Sequence, residues 1–214
     1  VLHVEPDKKY RQSECNEYGV RTSEDSEIVA TCQSKDKNFL LIGNSDGYIW
    51  RLNLSSQDSS SSKLLMLAQF CSGVTCLYTD THSSLLYVSL ESGELRMIEY
   101  LKEAENLFIF KALGSIDRFA VGSKNLICCT VDSKYLIAID SAGGKLLDTF
   151  YCEESSITVL LVDPFTNIFY SAYEEGSVYS HYISNGKMKS KLIYKNEGCQ
   201  WINGIISEDG RIVL

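Results

Sequence analysis

Hydrophobic positions along the chain fall into short runs separated by polar turns, in a pattern that recurs four times. Each copy has a hydrophobic run, an acidic turn that usually contains glycine, and a second hydrophobic run. The copies read FLLIGNSDGYIW at residues 39–50, LLYVSLESGELR at 85–96, LICCTVDSKYLI at 126–137 and IFYSAYEEGSVY at 168–179. Their first residues are 46, 41 and 42 positions apart. Two short runs joined by a tight turn predict a β-hairpin in every copy.

Each hairpin is flanked by further apolar segments, one before it and one after it, so that every repeat holds four short strands. A repeat of this length with four strands is typical of a β-propeller blade. The sequence therefore predicts an all-β fold with four complete four-stranded antiparallel blades and a partial fifth. The predicted blades span residues 28–70, 74–112, 116–150, 157–194 and, for the partial blade, 201–214.

The two ends of the chain lack a complete repeat. Residues 1–27 are polar and irregular, with one candidate strand at residues 1–4, and the fifth repeat stops within its second strand. Two arrangements are open: the N-terminal strand closes a ring with the last blade, or the chain is an excerpt of a larger propeller. We expect the excerpt, because no segment after Leu214 finishes the fifth blade.

Charge and hydropathy narrow the classes of partner. The 214 residues are 44% hydrophobic and carry a formal net charge of −8, and the lysines near the C-terminus are scattered along the chain rather than clustered. Nucleic-acid binding needs dense positive charge, so direct binding of nucleic acid is not expected. The apolar runs are far shorter than the roughly 18 residues of a membrane helix, so no membrane partner is expected either.

Cysteine and histidine usage argues against a metal site. The chain has eight cysteines without a C-x-x-C pair, and only three histidines. Several cysteines lie inside apolar strand patterns, where a thiol behaves as a small hydrophobic group. The distribution predicts no metal, no cofactor and a reducing compartment, either cytoplasmic or nuclear.

The first hairpin carries the clearest family likeness. Its NSDGYIWRLNL segment, residues 44–54, resembles the end of a WD repeat, in which an aspartate in a Ser-x-Asp-Gly turn fixes the blade. Asp46 matches that position, and acidic residues take the corresponding place in the later copies. No copy contains the Trp-Asp or Gly-His dipeptides of the family. The resemblance is thus to a divergent WD-repeat-like propeller, and it implies a protein–protein interaction scaffold within a multiprotein complex.

A second likeness leads to a different class of function. Residues 135–147, YLIAIDSAGGKLL, resemble the repeat of quinoprotein-type propellers. That family carries a tryptophan in each blade, whereas this chain has only Trp50 and Trp201. The alternative hypothesis is therefore an enzyme-class propeller, quinoprotein-like or hydrolytic, with its active residues outside this segment.

Candidate partner-binding residues follow from the repeat. Equivalent turns of successive blades lie on one rim. Their acidic residues either form an acidic rim suited to a basic peptide segment or stabilise the turns by bonding their own backbone. Trp201, in a predicted first strand, and Arg118, at the corresponding point of the third repeat, are candidate peptide anchors, and core packing is the alternative role of Trp201. The acidic candidates are Asp46, Glu91, Asp132 and Glu174.

Catalytic residues are not expected. Ser180 and His181 are adjacent in a predicted strand, and adjacent strand residues point to opposite faces, so they cannot form a nucleophile–base pair. The sequence therefore predicts a non-enzymatic protein.

Overall fold

The computed structural model describes residues 26–34, 36–54, 64–80, 84–101, 106–123, 126–151, 155–163, 165–201, 203–206 and 212–213. The chain divides into two compact units, Val1–Phe108 and Ile109–Leu214. The predicted leader strand at residues 1–4 and the serine-rich residues 55–63 lie outside the described part.

The first unit holds two four-stranded antiparallel sheets. One has the order β1-β2-β3-β4 and the other β5-β6-β7-β8, so the strands of each sheet follow chain order. The boundary between the units falls within β8. The strands are β1 Ile28–Gln33, β2 Phe39–Asn44, β3 Tyr48–Asn53, β4 Leu64–Gln69, β5 Val74–Thr79, β6 Leu85–Leu90, β7 Glu94–Glu99 and β8 Asn106–Lys111.

The second unit repeats this arrangement and adds a short hairpin. Two further sheets run in chain order from β9 to β12 and from β13 to β16, and β17 pairs with β18. The strands are β9 Ile116–Val121, β10 Leu126–Val131, β11 Tyr135–Asp140, β12 Lys145–Tyr151, β13 Ile157–Val162, β14 Phe169–Tyr173, β15 Ser177–Ser184, β16 Lys187–Lys195, β17 Ile205–Ile206 and β18 Ile212–Val213.

Four meandering four-stranded sheets and a partial fifth confirm the predicted fold class, an all-β protein built of propeller blades. The described residues form strands and turns but no α-helix, and so include no helix able to cross a membrane.

Burial explains why hydrophobic and polar residues do not alternate regularly in some strands. Nearly every residue of the second strands β6 and β10 is buried, whereas the fourth strand β16 is exposed along almost its whole length. A strand covered on both faces is hydrophobic throughout, and one covered on a single face alternates. The second strands therefore form the core of each blade, with Leu86 and Ile127 completely buried.

A β-bulge recurs at one place in every complete blade. The register between the first and second strands shifts at the second residue of the first strand in all four sheets. A bulge leaves one residue out of the ladder and turns its side chain. The residues concerned are Val29, Thr75, Asp117 and Thr158.

The turn between the second and third strands explains the glycine of the repeat. Gly47, Gly93 and Gly176 have φ of 85°, 85° and 91°, in the left-handed region that glycine adopts without a steric penalty. The third blade has Lys134 at this place, because its left-handed residues are Asp132 and Ser133, with φ of 50° and 54°. Aspartate tolerates this conformation better than most residues.

Alanine substitutions at three glycines of the second unit would distinguish the cost of backbone strain from the cost of a steric clash. A Cβ at Gly176 would lie 2.1 Å from the Asn196 carbonyl oxygen, whereas Gly186 (φ 70°) and Gly143 have open space around this position. We expect Gly176→Ala to lower the free energy of unfolding most, by more than about 2 kcal/mol, and Gly186→Ala by about 1 kcal/mol. Gly143→Ala, the matched control, should change it by less than about 0.5 kcal/mol. Urea denaturation followed by tryptophan fluorescence measures all three, and equal losses would contradict the assignment.

Candidate functional site

The predicted acidic residues lie on the turns between the second and third strands. We call each of these turns the turn rim of its blade (residues 44–47, 90–93, 131–134 and 173–176). All four predicted residues, Asp46, Glu91, Asp132 and Glu174, are exposed. The place of the acidic residue within its turn differs from the prediction in the first blade. Glu91 follows its strand directly, as do Asp132 and Glu174, whereas Asp46 comes second in its turn, after Ser45. Two of these acids belong to each unit.

Each turn is held by the same backbone hydrogen bond. The N–H of the first turn residue donates to the carbonyl oxygen of the residue just before the first strand of that blade. The four bonds run from Ser45 to Glu27 (2.9 Å), from Glu91 to Gly73 (2.9 Å), from Asp132 to Ser115 (2.9 Å) and from Glu174 to Ser156 (3.0 Å). The four turns therefore share a backbone hydrogen bond that does not depend on their acidic side chains.

Side chains add a second bond at each turn. Serine oxygens accept a backbone N–H at three of the turns: Ser45 accepts that of Glu27, Ser72 that of Ser92, and Ser155 that of Glu175. In the third blade Asp132 takes this role, because its Oδ1 accepts the N–H of Ser115 at 2.9 Å. Its carboxylate lies over Gly114, where a Cβ would be 2.0 Å from Oδ2. Asp132 thus stabilises its own turn.

Asp117 contacts the turn rim of the third blade, although the repeat pattern did not single it out. It sits at the β-bulge of β9, and its Oδ2 accepts hydrogen bonds from both the N–H and the hydroxyl of Ser133. The signal was present in the aligned repeats, since Thr75 and Thr158 are polar at the same place among apolar neighbours. A polar residue second in the first strand marks the bulge in three of the four blades, and the first blade has Val29 at this place.

An acidic cleft of about 490 Å³ opens at the turn rim of the fourth blade. It is lined by Glu174, Glu175, Glu197, Lys195 and residues 198–200. The loop of residues 196–200, which follows β16, is bonded to the blade, because the Asn196 N–H donates to the Gly176 carbonyl oxygen at 3.2 Å. Lys195 Nζ lies 3.2 Å from Glu197 Oε1. One lysine among three glutamates leaves the cleft with an excess of negative charge.

Trp201 directly follows the loop that lines this cleft. It was predicted to open a first strand, but it precedes β17, which contains only Ile205–Ile206. Its ring packs against the buried residues Val159, Ala172 and Val178 and lies 6.0 Å from the ring of Tyr194. The indole Nε1 is buried and has no acceptor among the described residues. Packing thus holds the Trp201 ring in place, and its role as a peptide anchor stays a prediction.

An apolar cleft of about 500 Å³ lies at the turn rim of the third blade. Leu113, Tyr135 and Leu146 line it together with Lys111 and Asp132. Leu113 is fully exposed, and Tyr135 and Leu146 are 40% and 45% exposed. Exposed apolar side chains that border a cleft are typical of binding surfaces. No repeat pattern in the sequence indicates this cleft, since Leu113 lies in a linker between two blades.

Arg118 lies one residue beyond the bulge in β9 and is half-buried. Its backbone N–H donates to Thr130 Oγ1 at 3.0 Å. Among the described residues no recorded contact joins Arg118 to Trp201. The structure therefore does not group these two predicted anchors.

His181 has a structural environment. It is 1% exposed, and its ring nitrogens lie 2.6 Å from Ser171 Oγ and 2.7 Å from Ser190 Oγ. Ser180 points away from it, towards the Lys191 carbonyl oxygen. Burial without a neighbouring carboxylate lowers the pKa of His181 to about 4. A buried, neutral imidazole between two serines ties three strands together.

The depressed pKa of His181 makes the stability of the protein depend on pH. The unfolded state binds the proton near pH 6.5 and the folded state near pH 4, so stability is complete above 6.5 and falls as the pH drops towards 4. We expect this group to remove about 2 to 3 kcal/mol between pH 7.5 and 4.5. His181→Gln should flatten that part of the curve relative to wild type in urea titrations. Parallel curves for the two proteins would contradict a neutral buried His181.

Metal and thiol chemistry find little support in the part of the chain that the structure describes. No group of three His, Cys, Asp or Glu side chains there is arranged to hold a metal ion. Burial raises the pKa of Cys128 and raises that of Cys32 to about 12. Thiols with raised pKa values are poor nucleophiles.

Comparisons with known proteins extend the description of the fold. No protein-family model matches the chain, and no curated protein matches it in sequence. A chain of the solved structure titled "Crystal Structure of Mitotic Checkpoint Complex" matches with a TM-score of 0.58 and 16% identity. The match covers 90% of this chain and 72% of that chain. Likeness at this identity concerns the fold alone, and it agrees with a β-propeller of four-stranded blades.

Proposed function

We propose that the protein is a non-enzymatic interaction scaffold that works within a multiprotein complex. Its partner is a basic peptide segment, which binds at the turn rim of the second unit. The observation that carries the proposal is the acidic cleft beside Glu174, on a rim whose backbone is fixed. One solved structure with this fold is by its title a complex, which agrees with a role in binding proteins.

Charge favours a basic partner. The cleft presents Glu174, Glu175 and Glu197 against Lys195 alone, within a chain of net charge −8. Complementary charge steers a partner to the site and rejects partners of the wrong sign. Because the turn is already ordered, a bound segment loses little of its interaction energy to ordering the protein.

The apolar cleft of the third blade supplies a complementary kind of contact. Leu113, Tyr135 and Leu146 would bury the apolar side chains of a segment, while Asp132 at the edge faces its basic residues. Aromatic residues in such places carry much of the binding energy of an interface. We therefore expect a segment that mixes basic and apolar residues. Trp201 and Arg118 are proposed secondary contacts.

We propose a cytoplasmic or nuclear location for this activity. The six described cysteines are thiols and none forms a disulfide with another, as expected in a reducing compartment. The acidic chain makes nucleic acid an unsuitable direct ligand.

The test is binding of a fluorescein-labelled nine-residue peptide that alternates arginine with leucine and serine, followed by anisotropy. Replacing Glu174 and Glu197 together by glutamine removes two charges and releases Lys195 to repel the peptide. We expect the double variant to weaken binding about fivefold or more at low salt, since each exposed pair contributes up to about 1 kcal/mol.

Asp140→Asn is the control for position, and it is compared with the single variant Glu174→Gln, which also removes one charge. Asp140 ends the third strand of its blade, opposite the turn rim, and its Oδ1 accepts the Ala142 N–H at 3.0 Å, a bond that asparagine can keep. This variant should change the affinity less than about twofold. Equal weakening by both variants would overturn the rim assignment. Cofactor-dependent activity would instead favour the enzyme-class hypothesis, whose active residues lie outside this segment.

A further inference from the structure

The outer strand of the fourth blade differs from the other fourth strands of the protein. β16 (Lys187–Lys195) is nine residues long, and all of them except Met188 are exposed. Sheet order places it at the edge, beyond β15. A long exposed edge strand presents unpaired backbone groups and can accept a further strand.

Hydrogen bonds identify which backbone groups point outward. The Met188 N–H donates to Asp148 Oδ2 at 2.8 Å, so this N–H points away from β15. Outward and inward groups alternate along an antiparallel strand. The N–H and C=O groups of Ser190 and Leu192 therefore also lie on the outer edge of β16.

The edge is held in place by its neighbours. The Ser190 hydroxyl lies 2.7 Å from His181 Nδ1. Asp148 holds the first two residues of the strand, because its carboxylate accepts the Met188 N–H and lies 3.7 Å from Lys187 Nζ. An ordered edge can receive a strand without the cost of ordering itself.

The lysines of β16 repeat with the period of the strand. Lys187, Lys189 and Lys191 share one face, opposite to Met188 and Ser190. Lys187 pairs with Asp148, whereas Lys189 and Lys191 have no acidic partner among the described residues. Opposite charges directly across a strand pair stabilise it, and like charges destabilise it.

We propose that this edge binds an extended acidic segment of a partner protein by strand addition. Ser190 and Leu192 form its main-chain hydrogen bonds, and Lys189 and Lys191 pair with acidic residues two positions apart. The same lysines disfavour a second copy of β16, because two such strands would place lysines beside lysines. Main-chain bonds supply affinity and the alternate side chains supply specificity, as in other β-augmented complexes.

The test uses the 214-residue chain and a labelled nine-residue peptide that alternates glutamate with threonine and valine. We expect saturable binding that weakens about threefold to tenfold in the Lys189→Gln/Lys191→Gln double variant. The matched control, Lys134→Gln/Lys145→Gln, removes the same charge from exposed positions outside β16 and should leave affinity within about twofold.

Two further measurements separate strand addition from charge attraction. A peptide N-methylated at every second amide loses its hydrogen-bond donors on one edge and keeps its charge. One of the two methylation registers should abolish binding and the other should retain it. Equal binding by both registers overturns the proposal. Sedimentation that shows dimers of the protein, dissociated by Leu192→Pro, also overturns it, because the occupant of the edge would then be a second copy.

Discussion

The hydrogen bond from the first residue of each rim turn to the carbonyl just before the first strand is the constraint on which the blades depend. It joins the residue that follows the second strand to the residue that precedes the first strand, at 2.9 to 3.0 Å in all four complete blades. The β-bulge next to it turns the second residue of the first strand out of the ladder. In the third blade that residue, Asp117, bonds the turn itself. Backbone and bulge together fix the rim whatever acid the turn carries.

The second unit presents two surfaces of opposite charge, and burial explains both. Among the described residues, the second strands β6 and β10 are buried along nearly their whole length and offer little polar surface to a partner. Polar groups stay open where the strands end, at the rim, and where the sheet ends, at β16. The rim cleft carries Glu174 and Glu197, while the edge carries Lys189 and Lys191. A scaffold with two such surfaces can hold a basic and an acidic segment in one assembly.

Much of the fold could be predicted from the sequence because it depends on local signals. The hairpins follow from strand-like runs around a glycine that only a left-handed turn explains, as at Gly47 and Gly176. The place of the acidic residue within each turn was harder to predict. Asp46 lies one position later than Glu91, because Ser45 takes the first place in its turn. The aligned copies show the same offset, because Asp46 directly precedes its glycine whereas Glu91 and Glu174 lie two positions before theirs.

The candidate site depended on contacts between residues distant in sequence. Trp201 was expected in a strand, yet it precedes a two-residue strand and packs on the fourth blade. The apolar cleft joins Leu113 to Leu146, and no periodicity links the two. The lysines of β16 looked scattered until the sheet order placed them on an edge. Topology decides such features, and a single sequence reports topology only indirectly.

Amide hydrogen exchange by NMR tests the shared rim bond most directly. The account predicts that the amide protons of Ser45, Glu91, Asp132 and Glu174 exchange slowly, on the timescale of their blade cores, although the side chains of the three acidic residues are exposed. Exchange of these four amides at the rate of unprotected turns would contradict it, because the rim would then lack the fixed backbone that the proposed binding site requires.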